Sequence, residues 1–449
     1  TKWHFPMAIL LIVFSLLSLS FASSKTIRIP LIPTLNPPSS ADPFEIMAIL
    51  ASKSLSRANH LRHSTNPAYP KVSIPLNPRS YGGYSLQLSF GSPPQSFSLI
   101  MDTGSSLVWL PCTSRYLCIT CSDPPPPAFF PKNSSSAKIL SCRSPKCAWL
   151  DTTDTPSDCP RGGSPRACAP YSIDYGIGTT TGILVSDTLS FNNLTNFPNF
   201  LAGCSVLSIG LPSGIAGFGR SKTSLPSQLG VNKFAYCLVS HRYDDEASAT
   251  SSLILAYDGR PPGLHYTSFR KNPKTWNPTL KEFYYVNLRR IIIGGTTIKI
   301  PKKFSTPGED GNGGTIVDTG STFTFMEKPL FDIVEDELRR QMVNSTVDKE
   351  AENKTGLKPC FRAHGWPQMV PEMVFWFKGG ARMDLPISGY FPLIGEEAAC
   401  LIFTSGPAGP GVGPSVILGN YQQMNFLMEY DLKKEKLGFK RHDCMSYHS

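Results

Sequence analysis

SLIMDTGSSLVWL at 98–110 and GTIVDTGSTFTFM at 314–326 decide the reading of this chain. Each has an apolar run, then Asp-Thr-Gly-Ser, then a polar residue and a second apolar run. The two aspartates, Asp102 and Asp318, stand 216 residues apart. One Asp-Thr-Gly could be a tight turn after a strand, since Asp and Gly both suit turns. Two copies with matching flanks and a shared Ser point to a duplicated β unit. A second echo supports the duplication. Gly214-Ile215-Ala216-Gly217 trails the first motif, and Val416-Ile417-Leu418-Gly419 trails the second at a similar distance.

The stretch before Asp102 alternates. Tyr84, Leu86, Leu88 and Phe90 interleave with Ser85, Gln87 and Ser89. Gly91-Ser92-Pro93-Pro94 then makes a turn, and Phe97–Met101 starts a strand, so a hairpin leads into Asp102. With 41 prolines and 36 glycines among 449 residues, the pattern predicts an all-β fold of two related lobes, 80–255 and 256–449. Helices are expected only at 43–63, near 223–230, and at 328–343, where apolar residues recur at i, i+3 and i+4. Residues 242–282, polar and Pro-rich, map clearly onto no recognised element.

The first 79 residues differ in kind. Residues 7–21 (MAILLIVFSLLSLSF) form an apolar run shorter than the roughly 20 residues a membrane span needs. Lys2 and His4 precede it, and Ser20-Phe21-Ala22 follows. This predicts a signal peptide at 1–22. The C-terminal RHDCMSYHS is polar, so no membrane anchor is expected. Residues 23–79 read as a propeptide. They carry seven basic side chains against Asp42 and Glu45, whereas 80–449 holds 35 basic and 31 acidic residues. The net charge of +10 is therefore concentrated in the leader. No basic stripe with aromatic partners is present, which excludes nucleic-acid binding.

All twelve cysteines lie at or beyond Cys112: Cys112, Cys118, Cys121, Cys142, Cys147, Cys159, Cys168, Cys204, Cys237, Cys360, Cys400 and Cys444. An even count behind a secretion signal predicts six disulfides rather than a zinc site, despite the short Cys118–Cys121 and Cys142–Cys147 spacings. No metal is expected. Glycosylation sequons stand at Asn133, Asn193, Asn344 and Asn353. Together these predict a secreted, extracellular or vacuolar protein.

Two aspartates on facing loops suggest a chemistry. Carboxylates in contact cannot both ionise easily, so they share a proton. One can then activate water while the other protonates a carbonyl oxygen. This needs no cofactor. Other hydrolase signatures are missing: there is no His-Glu-x-x-His and no Gly-x-Ser-x-Gly. The glycine-rich run Gly311–Gly314 lacks the Lys-Ser/Thr of a phosphate loop.

Over about 81–446 the chain resembles the pepsin-like aspartic proteases, and within them the nepenthesin-like plant group. The resemblance implies a bilobal pepsin-like fold with an interlobe cleft, and a monomeric endopeptidase acting on polypeptides in acid. Asp102 and Asp318 would be catalytic. Thr103, Gly104, Ser105, Thr319, Gly320 and Ser321 would support them, with the threonines bridging the loops. Tyr175, in DYGIGTTTGILVSDTLSF (174–191), matches the flap tyrosine, and Trp109 its partner. On residue type alone, Tyr175 could also be a strand residue and Trp109 a core aromatic. Ile215–Gly217 and Ile417–Gly419 match the strands that thread each catalytic loop. The resemblance also implies a cysteine-rich insertion at 112–168, and pairs Cys360 with Cys400 and Cys204 with Cys444. The saposin-like insertion of many plant relatives is missing. In the propeptide, Lys53, Arg57 and Arg62 are expected over the acidic cleft at neutral pH, with acid loosening them. A rival is a catalytically inactive relative that binds or inhibits glycoside hydrolases. Such relatives have damaged motifs, and both motifs here are intact.

Overall fold

The computed structural model of the chain describes residues 26–34, 42–63, 82–119, 126–150, 166–176, 178–191, 195–211, 213–240, 250–255, 261–275, 277–406 and 413–446. The signal segment, Cys121, Cys159 and Asn193 lie outside the described residues. Strands dominate and form two lobes. Four sheets are present among the described residues, the largest with 15 strands and the next with five.

The alternation at 84–90 makes the strand Tyr84–Phe90. It pairs antiparallel with Gln95–Asp102 through Ser85↔Ile100 and Leu88↔Phe97. The sequence repeat becomes a structural repeat. Ile215–Gly217 runs parallel to Gln95–Asp102, with Gly217 opposite Asp102, and Ile215 also pairs antiparallel with Trp109. In the second lobe, Val416–Leu418 runs parallel to Thr315–Val317 and antiparallel to Thr324–Glu327. Each motif thus ends a buried strand beside a parallel strand from far along the chain, and that parallel strand is flanked on its other side by an antiparallel strand from just beyond the loop.

The largest sheet ties the halves together. Phe426–Asp431, late in the chain, pairs with Lys233–Cys237, which pairs with Ser251–Leu255. The next strand inward is Ile27–Pro33. It lies between Ser251–Leu255 and Tyr84–Phe90, antiparallel to both. The stretch 242–282, which the sequence left unplaced, supplies His265–Ser268 as an edge strand beside Lys436–Arg441.

The predicted helices occur at Pro43–His63, Leu225–Gln228 and Lys328–Gln341. The last buries Leu330, Phe331, Val334 and Leu338, one stripe of an amphipathic helix. Two short helices were not foreseen, Lys302–Ser305 and Lys349–Thr355. The second is capped by Asp348, whose side chain accepts from the Ala351 amide, and is closed by Gly356 at φ 69°.

The disulfides correct one expectation. Cys360–Cys400 is present, but Cys204 bonds to Cys112 and Cys444 bonds to Cys237. Strand register explains this. Cys204 lies opposite Leu110, two residues before Cys112, whereas Cys237 lies opposite Leu427, in the strand whose Phe426 carbonyl contacts the Cys444 sulfur. Cys147 bonds to Cys168, and Cys118 and Cys142 are also disulfide-bonded.

Candidate active site

The two Asp-Thr-Gly-Ser loops meet, and they are near mirror images in their bonding. The Gly104 amide donates to Asp102 Oδ1 at 2.8 Å and the Ser105 hydroxyl to Asp102 Oδ2 at 2.6 Å. The Gly320 amide donates to Asp318 Oδ1 at 2.9 Å and the Ser321 hydroxyl to Asp318 Oδ2 at 2.7 Å. The threonines lock the loops to each other. The Thr103 amide donates to Thr319 Oγ1 and the Thr319 amide to Thr103 Oγ1, both at 3.0 Å. Each hydroxyl then donates across the interface, Thr103 to the Val317 carbonyl and Thr319 to the Met101 carbonyl. The glycines are where the loops come closest. A Cβ on Gly104 would sit 2.5 Å from Asp318 Oδ1, and one on Gly320 would sit 2.5 Å from Asp102 Oδ1.

Both carboxyl groups are buried, at 2% and 0% exposure, and lie within hydrogen-bonding reach of one another. Burial pushes Asp102 up to about 6. Asp318 adds to this, while Arg57, the Ser105 hydroxyl and the Gly104 amide oppose it. At Asp318 burial also pushes upward, but Arg57, the Ser321 hydroxyl and Asp102 outweigh it and hold the group below the ordinary carboxylate range. The two members of the pair are thus driven apart, as expected when like charges share a site.

The cation between them comes from the leader. Arg57, on the helix Pro43–His63, places Nη2 at 2.8 and 2.9 Å from the Asp102 oxygens and Nε at 3.3 Å from Asp318 Oδ2. Burial works against its charge, yet the two carboxylates more than offset this and raise its pKa. Of the three basic residues expected over the cleft, Arg57 takes this position. Lys53 is buried, which lowers its ammonium to about 8. Arg62 is anchored to the second lobe through Glu327. The helix also lays Ala58 and Leu61 on an apolar wall made by Leu280, Phe283, Tyr285, Ile316, Phe325 and Ile417.

Tyr175 and Trp109 stand beside the pair, both fully buried, with ring centroids 6.3 Å apart. Tyr175 follows the strand Tyr171–Asp174, which forms a hairpin with Thr179–Phe191. Its tip rests on the leader helix: a Cβ on Gly176 would come within 2.4 Å of His60 Cβ and 2.6 Å of the Ser56 carbonyl.

Two elements escaped sequence reasoning. Asn420–Gln423, directly after the strand Val416–Leu418, is wholly buried. There the Asn420 amide group donates to the Thr319 carbonyl at 3.1 Å, and Gln423 donates to the carbonyls of Leu418 and Gly419. Four polar or aromatic side chains following an apolar strand were the available signal. The other is Glu282, which hydrogen-bonds Ser106 and which burial raises to about 7, close to Asp102. It sits in the stretch that matched nothing in sequence.

Comparison with known proteins agrees with this geometry. Residues 84–255 match a family model described as the xylanase inhibitor N-terminal domain, and 283–441 match the corresponding C-terminal domain. A probable aspartyl protease of Arabidopsis thaliana is 33% identical, with 84% of each chain covered. Aspartic proteinase nepenthesin-2 of Nepenthes gracilis is also 33% identical, over 81% of this chain and 78% of that protein. Among solved structures, edgp aligns with a TM-score of 0.66 at 18% identity over 93% of this chain and 95% of that one. Basic 7S globulin from soybean aligns at 0.64 and 17% identity, over 95% and 100%. The fold is thus that of a pepsin-like, two-lobed β protein. The chain belongs to the pepsin-like aspartic protease family, with plant aspartic proteinases such as the nepenthesins among its relatives.

Proposed function

We propose that the protein is a secreted aspartic endopeptidase, made as an inactive precursor and working in acid. The observation that carries this reading is the pair of carboxylates. Asp102 and Asp318 come from equivalent loops, each is held by a glycine amide and a serine hydroxyl, and the pair lies within hydrogen-bonding reach. Two carboxylates sharing one proton is the established arrangement of the aspartic protease site. Once Arg57 is withdrawn, a water molecule could take its place between them. The ionised member would remove a proton from that water, and the protonated member would donate to the scissile carbonyl oxygen. Burial excludes bulk water and strengthens both interactions. Tyr175, on its hairpin, would close over the substrate, with Trp109 behind it.

The substrate is a polypeptide, by analogy with the protease relatives. The apolar wall now covered by Ala58 and Leu61 favours apolar side chains near the scissile bond. Residues 1–22 and 23–79 would be the signal and the propeptide, and the helix carrying Arg57 would block the site until acid loosens it. Asn133, Asn344 and Asn353 are exposed, as glycosylation in the secretory pathway requires. The destination would be the extracellular space or the vacuole, and the working form a monomer.

A second reading follows from the names of the matching family models: a binding protein or glycoside hydrolase inhibitor on the same fold. The two intact loops favour the enzyme. One experiment separates the readings. The matured protein is given an unstructured protein at pH 3 to 7, with and without pepstatin and beside Asp102→Asn. Acid-dependent cleavage that disappears in both controls is expected. Properly folded, propeptide-free protein that cleaves nothing at any pH would refute the enzyme reading.

A further inference from the structure

We infer that the second lobe carries an arginine-recognising subsite, built by Phe325, Glu327 and the Pro414 carbonyl and now filled by Arg62 of the leader helix. This inference rests on the protease reading above, because it assigns the side chain a substrate would place there.

Arg62 is 2% exposed, although an arginine seldom buries completely without a built partner set. Its Nη2 donates to Glu327 Oε1 at 2.5 Å and its Nη1 to the Pro414 carbonyl at 3.1 Å. Its guanidinium carbon lies 5.2 Å from the Phe325 ring centroid, a cation–π distance. Gly413 closes the pocket from the side: a Cβ there would come within 2.5 Å of the Arg62 Cα. The three interactions suit a planar fork. Two different nitrogens reach two acceptors while the flat face covers a ring, and the single ammonium of lysine cannot do all three.

The pocket belongs to the second lobe, not to the leader. Phe325 and Glu327 lie on the strand Thr324–Glu327, which follows directly on the loop of Asp318 and Ser321. Pro414 lies just before the strand Val416–Leu418. Both strands belong to the frame that holds Asp318. Phe325 also forms part of the apolar wall beneath Ala58 and Leu61, so the pocket continues the cleft surface. Arg62 follows Arg57 by five residues, about 7.5 Å along a helix axis at ~1.5 Å per residue. An extended peptide covers that distance in two or three residues at ~3.3 Å each. The leader therefore occupies the cleft with two arginines of different role: Arg57 on the carboxylates, and Arg62 in a pocket a substrate would meet a few residues from its scissile bond.

The test uses the full chain, folded intact, with the recognition site of an unrelated protease inserted within residues 64–79. After cutting and release of the leader, it receives fluorogenic peptides sharing one apolar scissile pair. Arg, Lys, Gln or Glu is placed two, three or four residues away on either side, and the assay is run near pH 5, above the ordinary carboxylate range. At one of these positions Arg should raise kcat/KM at least tenfold over Gln, through KM, and exceed Lys. Glu327→Gln should reduce that preference below threefold. The same peptides are titrated by calorimetry onto Asp102→Asn, where Arg should again bind at least tenfold tighter than Gln, and Glu327→Gln should abolish the difference. If the Gln peptide is never cut but the calorimetric preference appears, the protease reading fails and the subsite stands. If Arg has no advantage at any position, or keeps it in Glu327→Gln, the subsite is refuted whether or not the peptides are cut.

Discussion

Replacing Arg57 with Ala would take away the cation that bridges the two buried carboxylates. The three contacts measure 2.8, 2.9 and 3.3 Å, and none of the three side chains exceeds 5% exposure. Removing one partner of a buried ion pair typically costs about 3–5 kcal/mol, because the remaining charge is left uncompensated. That cost falls on the docked state of the helix. At about 1.4 kcal/mol per decade, docking should weaken by roughly 100-fold to 1,000-fold or more. The sign with pH follows from Asp318. Its folded value is depressed, so its contribution is present above the ordinary carboxylate range and is lost as pH falls through the lowered value. Asp102 is raised to about 6 and protonates earlier, so its share of the contact fades below that pH. The difference between wild type and Arg57→Ala should therefore be largest near pH 7 and shrink in acid. Amide hydrogen exchange of 43–63 in the uncut chain reads this directly and requires no turnover. Protection in Arg57→Ala within twofold of wild type at pH 7 would show that Arg57 does not hold the helix, and the reasoning would be wrong.

Other outcomes follow from the same geometry. Thr319→Val removes a hydroxyl that accepts from Thr103 and donates to Met101. At about 1–3 kcal/mol per buried group left unpaired, thermal or denaturant unfolding should show a loss of that order. Gly104→Ala forces a methyl to within 2.5 Å of Asp318 Oδ1. Peptide cleavage should be abolished, with a stability loss of about 1–3 kcal/mol from overpacking; near-normal activity would contradict the loop geometry. The Cys237–Cys444 bond closes a loop with a sequence separation of 207. Replacing both cysteines with Ala should cost about 5 kcal/mol on the chain-entropy account, seen as a lower unfolding midpoint. His60 is held near 4, first by burial and then by Arg57, with Asp174 opposing and the Gly176 backbone packed on it. A depressed histidine favours the docked state above its unfolded value and loses that contribution as pH falls from about 6.5 to about 4. His60→Asn should flatten the pH dependence of leader release over that window, measured by the same exchange experiment.

The site was legible in sequence because its chemistry is local. Asp102, Thr103, Gly104 and Ser105 sit on one turn, and the repeat at Asp318 supplied the partner. The hairpin before Asp102 and the helix at 43–63 were legible for the same reason, as periods of two and of 3.6 appear within a single window. Long-range choices were not legible. Ile27–Pro33 contains Pro30 and Pro33, and proline inside a run weakens a strand reading. What makes it a strand is a partner at Ser251–Leu255, more than 200 residues away. The disulfide partner of Cys204 is fixed by its register against Leu110, which spacing alone cannot convey. Glu282 reaches Ser106 across a gap in sequence that no motif spans.

The strand Ile27–Pro33 makes the leader more than a plug. It pairs five residues with Ser251–Leu255 and three with Tyr84–Phe90, so it is a stitch in a seam within the first lobe, in the sheet that runs on into the second. A cut anywhere in 64–79 would free the far end of the helix, while its near end stayed joined to the strand through residues 34–42. If the proposed precursor is processed there, departure would proceed in two stages, the cleft clearing first and the seam opening second. Until something else fills the seam, losing that strand exposes two sheet edges in the middle of the molecule rather than at its rim, an invitation to pair with another chain. A nicked protein with its leader strand still bound would thus be the form that stays closed against its neighbours.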